Sequence, residues 1–257
     1  DEAHLFKATS LKTLMEKTEN AVMRFGTTGT LDDTKTHKLV LEGLFGPVRR
    51  FTTSKQLMKD GQLAKLKITC LMLNYSDDVR QANKKLSYQE EMDFLVSYTH
   101  RNTFIRNLAL EQTGNSLLLF QYVEKHGRIL YDMIKEKAGN RKVFFVHGGV
   151  GANEREDIRA ITEQEHDAII VASYGTFSTG INIRNLHNII FASPSKSKIR
   201  NLQSIGRGLR LGDDKDEAQL ERIASKIKTE FKELDIVPYY PKGEERKQYF
   251  LNSYCCF

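Results

Sequence analysis

The stretch Ser116-Leu117-Leu118-Leu119-Phe120 begins a run of short apolar segments that alternate with helix-length segments. Continuous apolar runs of four or five residues, with helical patterns between them, are typical of buried parallel strands in βαβ units. The pattern therefore predicts an α/β fold, a parallel sheet with helices on both faces. The predicted strands are 117–120, 143–146, 168–172 and 188–191, and the predicted helices are 123–137, 153–163 and 197–211.

The turns after these predicted strands are rich in glycines and hydroxyl side chains, most densely in A-S-Y-G-T-F-S-T-G-I-N-I at 172–183. The carboxyl ends of parallel strands meet at one edge of a sheet, where ligands bind in open α/β folds. Small hydroxyl side chains and lysines there can bind phosphate oxygens without base preference. The candidates are Ser173, Thr176, Thr179, Lys196 and Lys198. An ordinary Ser/Thr loop beside a solvated basic face is the alternative.

The stretch Q-S-I-G-R-G-L-R at 203–210 places two arginines close to this edge. On a helix Gln203, Arg207 and Arg210 lie at i, i+4 and i+7, so their side chains share one face. Two guanidiniums on one face suit a phosphoryl-transfer site, because an arginine stabilises the charge that builds on the γ-phosphate. A basic helix exposed to solvent is the alternative interpretation.

The first half of the chain is less regular. Residues 11–15 and 37–45 have the apolar spacing of short helices, and 66–73 predicts a strand that becomes buried. The apolar run 21–25 leads into Gly26-Thr27-Thr28-Gly29-Thr30, which predicts a strand that ends in a hydroxyl-rich turn. An ordinary Gly/Thr turn also fits that pentapeptide.

A polar segment, 74–86, predicts a loop or a crossing between domains. Ser87 with Glu90 three residues later is a capping-box pattern, and it predicts a long helix to about Gln112 with a break near His100. We interpret this helix as the entry to a second domain. A core helix of a single domain fits the pattern equally.

The chain begins with Asp1-Glu2-Ala3-His4. In a site that hydrolyses a nucleotide, one carboxylate holds Mg²⁺ through its waters and the next orients or deprotonates the attacking water. The histidine then contacts a neighbouring motif and couples its position to that of the carboxylates. Four residues match by chance often, so an exposed chain end is the alternative.

Composition excludes several classes of protein. The chain has 257 residues, 40% of them hydrophobic and 28% charged, with a net charge of +6 that favours a polyanionic partner. Its three cysteines form no C-x-x-C pair, which argues against structural zinc and fits a reducing compartment. The sequence contains no apolar run long enough to span a membrane and no signal peptide. We therefore predict a cytoplasmic protein without a membrane partner.

The four motifs together resemble a known family. D-E-A-H, T-G-T, T-G-I-N and Q-S-I-G-R-G-L-R occur in the order of motifs II, III, V and VI of superfamily 2 helicases, and 118–122 fits motif IV. The resemblance extends from Asp1 to about Gly212, and the second half is most similar to recombination and repair helicases of phages. It implies ATP and Mg²⁺ as cofactors, and branched or single-stranded DNA or RNA–DNA hybrids as partners.

The resemblance also implies a role for individual residues. Asp1 corresponds to the Mg²⁺-binding acid and Glu2 to the catalytic carboxylate, whereas Arg207 and Arg210 correspond to the γ-phosphate arginines. His4 and Gln203 correspond to the pair that couples the nucleotide site across the cleft between the domains. Thr28 and Thr30 match the motif that couples hydrolysis to strand movement, and Gly180 and Asn182 match motif V. Asn182 stands where many relatives have an acid, so the motif does not establish a ribose contact.

Two RecA-like domains that close on ATP are the architecture implied by the resemblance. We predict a partial first domain at 1–86, a complete second domain at 87–212 and a divergent charged tail at 213–257, of which Asp213 to Leu234 reads as a helix. The phosphate-binding pattern G-x-x-x-x-G-K-[ST] is missing, and we expect it upstream, in the absent half of the first domain. A non-catalytic nucleic-acid-binding or scaffold protein that retains the fold is the alternative function.

Overall fold

A seven-stranded sheet in the order β3-β4-β2-β5-β6-β1-β7 is the centre of the fold. The computed structural model describes residues 3, 8–18, 20–29, 31, 35–176, 183–194, 198–211, 215, 217–226 and 237–239. Neighbouring strands are parallel except for β7, which runs antiparallel to β1. The strands are β1 (Lys65–Asn74), β2 (Ser116–Phe120), β3 (Val143–Val146), β4 (Ile169–Ser173), β5 (Asn188–Phe191), β6 (Glu217–Lys226) and β7 (Val237–Tyr239).

Three of the described helices precede β1, and the others lie between strands in sequence, as βαβ connections require. They are α1 (Ala8–Glu16), α2 (Lys35–Phe45), α3 (Ser54–Lys59), α4 (Asp77–Asn83), α5 (Tyr88–Ser97), α6 (Thr99–Glu111), α7 (Ile129–Lys137), α8 (Ala152–Gln164) and α9 (Lys198–Gly208). A π-helical turn, Val123–Arg128, precedes α7. The predicted α/β fold with a parallel sheet is confirmed.

The apolar strands are buried on both faces. Side chains alternate along a strand, so Leu118 and Phe120 of β2 join one hydrophobic cluster, and Leu117 and Leu119 join another on the opposite face. All residues of β2, β4 and β5 are buried. This two-sided burial explains why these strands could be recognised from uninterrupted apolar runs.

Strand β1 lies in the same sheet as the strands of the predicted second domain. It pairs in parallel with β6 from Lys65–Glu217 to Asn74–Lys226. The sheet therefore contains strands from all three predicted segments, 1–86, 87–212 and 213–257. A domain boundary at residue 86 does not predict this shared sheet. That boundary was set by the polar loop after β1, a local signal that carries no information about strand pairing. The division of the chain into domains stays a prediction.

Three local predictions were wrong. Residues 21–25 form no strand; Val22, Met23 and Phe25 are exposed, and no strand among the described residues lies beside them to pair with. The predicted loop 74–86 contains α4. The predicted charged helix from Asp213 contains β6, where Ala218 and Leu220 are buried at strand spacing although the surrounding residues are helix formers.

The start of the second helical segment agrees with prediction. Ser87 and Glu90 form a capping box, in which the Ser87 N–H donates to the Glu90 carboxylate at 2.8 Å. The predicted break occurs at Tyr98, between α5 and α6.

The π-helical turn fits tightly against β2. A Cβ at Gly127 would lie 2.5 Å from carbons of the Phe120 ring, so only glycine allows this approach. The turn brings the neighbouring His126 into the protein interior, where it is buried.

The amino-terminal edge of the sheet is held by Asn115, which is fully buried. The two N–H groups of its Nδ2 are shared among three backbone carbonyls, those of Thr162 (3.0 Å), Glu165 (2.6 Å) and Asn185 (2.8 Å). Its Oδ1 accepts from the N–H of Ala168 at 2.8 Å. One side chain thus joins the end of α8, the start of β4 and the segment before β5.

No helix among the described residues is long and apolar enough to cross a membrane.

Candidate functional site

The carboxyl ends of β2, β4 and β5 meet at one edge of the sheet, as the parallel pairing requires. The segments that leave them begin at Gln121, Tyr174 and Ala192. The segment after β5 leads to α9, which contains the predicted arginine motif. The turn after β4 and the segment that leads to α9 therefore leave the same edge, whereas the end of α9 lies beside Ile189 and Ala64, towards the starts of β5 and β1.

Helix α9 buries one face against the sheet. Ser204 and Ile205 are buried on that face, and Gly208 allows close contact, because a Cβ there would overlap the Ile189 side chain. Gln203 and Arg207 are half-buried and lie one turn apart. The structure thus places these two predicted residues on a shared stripe beside the packed face.

Arg210 does not lie on the helix, because α9 ends at Gly208 and Arg210 follows in an exposed turn. The predicted i+7 relation to Gln203 is therefore not a helical one. The direction of Arg210 depends on how this turn is held. Lys215 supplies that hold, since its Nζ donates to the carbonyls of Gly208 and Arg210, the latter at 3.0 Å.

The described hydroxyls of the predicted phosphate site are buried. Ser173 Oγ and Thr176 Oγ1 lie 2.8 Å apart, and the Thr176 N–H donates to Ser173 Oγ at 3.3 Å. Both hydroxyls thus stabilise the turn after β4 in this structure. Their assignment to phosphate binding stays a prediction.

A buried polar network below this edge was missed by sequence reasoning. Asn102 Nδ2 donates to the Val96 carbonyl at 2.9 Å, which leaves its Oδ1 facing His126 Nε2 at 3.2 Å. An amide oxygen only accepts, so Nε2 carries the proton and Nδ1 accepts from the Ser193 hydroxyl at 2.8 Å. Ser193 Oγ also accepts from the N–H of Gln121 at 3.1 Å. The network therefore links α6 and the π-helical turn to the ends of β2 and β5.

Arg101 and Tyr174 hold the end of β5 as well. The Arg101 guanidinium is 1% exposed, and its Nη2 donates to the Ala192 carbonyl at 2.6 Å. The Tyr174 hydroxyl donates to the Ser193 carbonyl at 2.8 Å. Burial lowers the pKa of Arg101. Ala192 and Ser193, directly after β5, are thus held by partners from three elements, of which Arg101 and His126 belong to no motif in the sequence.

The electrostatics of this network keep His126 neutral. Burial, followed by the positive charge of Arg101, lowers the pKa of His126 to about 3. The unfolded chain has an ordinary histidine pKa, so below about pH 6.5 it binds more protons than the folded chain. Stability is therefore complete above about pH 6.5 and is lost as the pH falls towards 3.

We expect His126 to lower the free energy of unfolding by about 1.4 kcal/mol between about pH 7.5 and about pH 5.5. Urea unfolding at several pH values measures this slope. The His126→Gln variant lacks the titration and should have a flatter profile, whatever its stability at pH 7.5. Equal slopes for the two proteins would contradict a neutral, buried His126.

The two amino-terminal motifs lie next to each other. The N–H of Ala3, the third residue of D-E-A-H, donates to the carbonyl of Thr27 at 3.0 Å. Thr28 follows in the Gly/Thr turn and is half-buried. The structure therefore brings the D-E-A-H backbone next to the residue before T-G-T, the motif to which the resemblance gives the coupling of hydrolysis to strand movement.

Several predicted residues lie outside the described part of the chain: Asp1, Glu2, His4, Thr30, Thr179, Gly180, Asn182 and Lys196. For Lys198 only the position at the start of α9 is described. Within the described ranges, no group of three or more His, Cys, Asp or Glu side chains could hold a metal ion. The predicted Mg²⁺ site at Asp1 thus has no structural test here.

Residues 99–212 match the helicase conserved C-terminal domain. Mss116p bound to ssRNA and AMP-PNP has a TM-score of 0.51 at 13% identity, covering 85% of this chain and 40% of Mss116p. The DNA-bound restriction-modification enzyme LlaBIII has a TM-score of 0.50 at 17% identity, covering 72% of this chain and 13% of LlaBIII. These two likenesses concern the fold alone. The chain belongs to the superfamily 2 helicases.

Within this superfamily the chain is similar to UvsW, the ATP-dependent DNA helicase of Enterobacteria phage T4. The two are 37% identical over 213 residues, which cover 82% of this chain and 42% of UvsW. The crystal structure of T4 UvsW has a TM-score of 0.56 at 29% identity, covering 92% of this chain and 48% of that one. The chain spans less than half the length of this relative.

Proposed function

We propose that this chain is the carboxyl-terminal part of an ATP-dependent DNA helicase or translocase. The observation that carries the proposal is the arrangement of Gln203 and Arg207 on α9, the helix that follows β5, where they lie one turn apart and half-buried. The turn that contains Arg210 follows directly. Guanidiniums on a rigid element are suited to meet charge on a phosphoryl group when a second lobe brings the nucleotide.

The roles of the chain's residues follow from this proposal. Arg207 and Arg210 stabilise the charge on the γ-phosphate, Glu2 orients the attacking water, and Asp1 holds Mg²⁺, which neutralises phosphate charge when bound. The contact between the backbones of Ala3 and Thr27 supports a connection from the hydrolytic motif to Thr28 and Thr30, which couple hydrolysis to strand movement. The other nucleotide contacts come from His4, Gln203, Gly180 and Asn182.

The partner lobe in this proposal is the upstream half of a first RecA-like domain. Val22, Met23 and Phe25 are 94%, 74% and 80% exposed, and a cluster of large apolar side chains in solvent costs stability unless another surface covers it. An added lobe that extends these residues into a paired strand would bury them. This agrees with the greater length of the relatives.

The proposed substrate is DNA, in branched form or as an RNA–DNA hybrid. UvsW is a DNA helicase by name, and the net charge of +6 favours a polyanion. Contacts from hydroxyls, lysines and backbone N–H groups at the sheet edge would bind the phosphate backbone and leave the bases unread.

We expect the 257-residue chain alone to hydrolyse ATP at background rate, because half of a phosphoryl-transfer site cannot position the nucleotide and the attacking water for reaction. A longer parent protein with the G-x-x-x-x-G-K-[ST] loop should show DNA-stimulated turnover. Phosphate release by both proteins, with and without DNA, measures the difference. Turnover by the short chain would contradict the divided site. A parent without turnover that still binds DNA would support the non-catalytic alternative.

DNA binding by the chain should be tolerant of sequence and should weaken steeply with salt. Neutralised phosphates release counterions, so we expect affinity to fall roughly tenfold or more between about 50 and about 200 mM salt. Fluorescence anisotropy with two single strands of equal length and different sequence tests both properties. A flat salt response, or a strong preference for one strand, would argue against a phosphate footprint.

A further inference from the structure

The carboxyl-terminal end of α9 is held by partners from outside the helix. The last carbonyls of a helix have no partner within it. Here Lys215 Nζ donates to the carbonyls of Gly208 and Arg210, and the N–H of Ala64 donates to the carbonyl of Leu209 at 2.9 Å. Three successive carbonyls are thus fixed where the helix gives way to the turn of Arg210.

Lys215 is an unusual residue for this position because it is 3% exposed. Among the described residues no carboxylate forms an ion pair with it, and burial lowers its pKa to about 8. Burial of an ammonium group costs stability, and an apolar side chain would fill the space at lower cost. What the ammonium adds is a set of N–H donors directed at the negative end of the helix dipole.

Besides Lys215, this turn is held by the Leu209 N–H, which donates to the Ile205 carbonyl at 3.2 Å, and by the Ala64 N–H. Arg210 is exposed and lies beyond α9, so its own backbone sets the direction in which its side chain leaves. A hydrogen bond to the Arg210 carbonyl fixes the peptide plane that follows this residue. The hydrogen bond to the Gly208 carbonyl fixes the peptide group between Gly208 and Leu209, one residue after Arg207.

We propose that Lys215 is the positioning residue for Arg210, and through the last helical turn for Arg207, in the ATP reaction. The inference rests on the proposed function, in which these arginines meet the γ-phosphate. Lys215 acts through the backbone of the arginine turn and touches no substrate. A displacement of about 1 Å in a positioned group costs on the order of 100-fold in rate.

The test uses the longer parent protein with its nucleotide-binding loop. Lys215→Met keeps the aliphatic stem and removes the donors, and it should lower kcat for ATP roughly 10- to 100-fold. The KM for ATP and the Kd for DNA should change less than about threefold, because the arginines act on the transition state. The matched control is Lys142→Met, at the amino-terminal edge of the sheet, where the ammonium pairs with Glu165 in solvent. It should keep full turnover.

A double-mutant cycle separates positioning from a general loss of structure. In an Arg210→Ala background, Lys215→Met should lower single-turnover ATP hydrolysis by a smaller factor than in the wild-type background, because only the effect through Arg207 remains. An undiminished effect there overturns the proposal, as does a joint loss of kcat, ATP affinity and DNA affinity. If Lys215→Met does not fold, Lys215→Gln, which keeps a shorter donor, should show the same kcat loss to a smaller degree. Wild-type kcat in that folded variant overturns the inference.

The two proposals fail in distinguishable ways. If Arg210→Ala keeps near-normal turnover, the proposed function of the arginine is wrong. If Arg210→Ala loses turnover and a folded Lys215→Met keeps it, only the positioning role is wrong.

Discussion

Replacement of Arg207 or Arg210 by alanine in the longer parent protein is expected to lower ATP hydrolysis about 1,000-fold or more. An arginine that meets the γ-phosphate stabilises charge that develops only in the transition state, and its loss is of this order in related phosphoryl-transfer reactions. Single-turnover hydrolysis with saturating ATP and DNA is the measurement. Lysine should restore little activity, because a point charge does not reproduce the planar fork of a guanidinium.

DNA affinity decides between this role and a basic surface. The two alanine variants should bind DNA within a few-fold of the wild type. The matched control is Arg159→Ala on α8, whose guanidinium is held by Glu156 and Glu163 on the same helix. It should hydrolyse ATP normally. Weaker DNA binding by Arg207→Ala or Arg210→Ala, with turnover intact at saturating DNA, would show that the arginines form a basic surface only.

The largest effect on folding is expected at Asn115. Asn115→Ala removes the buried acceptor of the Ala168 N–H and the amide donors that reach the carbonyls of Thr162, Glu165 and Asn185. An unsatisfied buried backbone group costs about 1–3 kcal/mol, and partial relaxation leaves a total of about 3 kcal/mol or more. Urea unfolding of the chain measures the loss as a shift in midpoint at constant slope.

Two further variants give this prediction its controls. Asn107→Ala removes an exposed amide on α6 that accepts only from the neighbouring Arg106, so it should cost less than about 0.5 kcal/mol. Asn115→Asp keeps the acceptor for Ala168 but places a carboxylate against carbonyl oxygens, so it should be at least as harmful as alanine. A loss below about 1 kcal/mol for Asn115→Ala would show that water or a local shift satisfies the four groups.

The sequence predicted the central strands because their signal is local. Residues 117–120 and 189–191 are apolar on both faces, and such runs need cover on both sides of the sheet. The helix that carries Gln203 and Arg207 was equally evident from its spacing. The placement of Arg210 was not, since the end of α9 depends on packing of Gly208 against β5.

The rest of the site could not be predicted because its signals are distant in sequence. Arg101 and His126 look like ordinary surface residues in their segments, and only the tertiary fold buries them beside Ser193. Lys215 stands in a charged stretch that favours a helix on composition. Pairing with β1 overrides that preference and makes the following residues β6.

The pairing of β1 with β6 has a consequence for the order in which the protein folds. Their contacts join residues separated by most of the chain, and such distant contacts are slow to form because a long loop must close first. During synthesis β1 leaves the ribosome long before β6 and β7, and until they are made both edges of β1 are open to wrong partners. Lys215 is made just ahead of β6. The arginine turn is therefore among the last parts of the sheet edge to be fixed, and a chain interrupted after α9 should aggregate before it can bind a nucleotide.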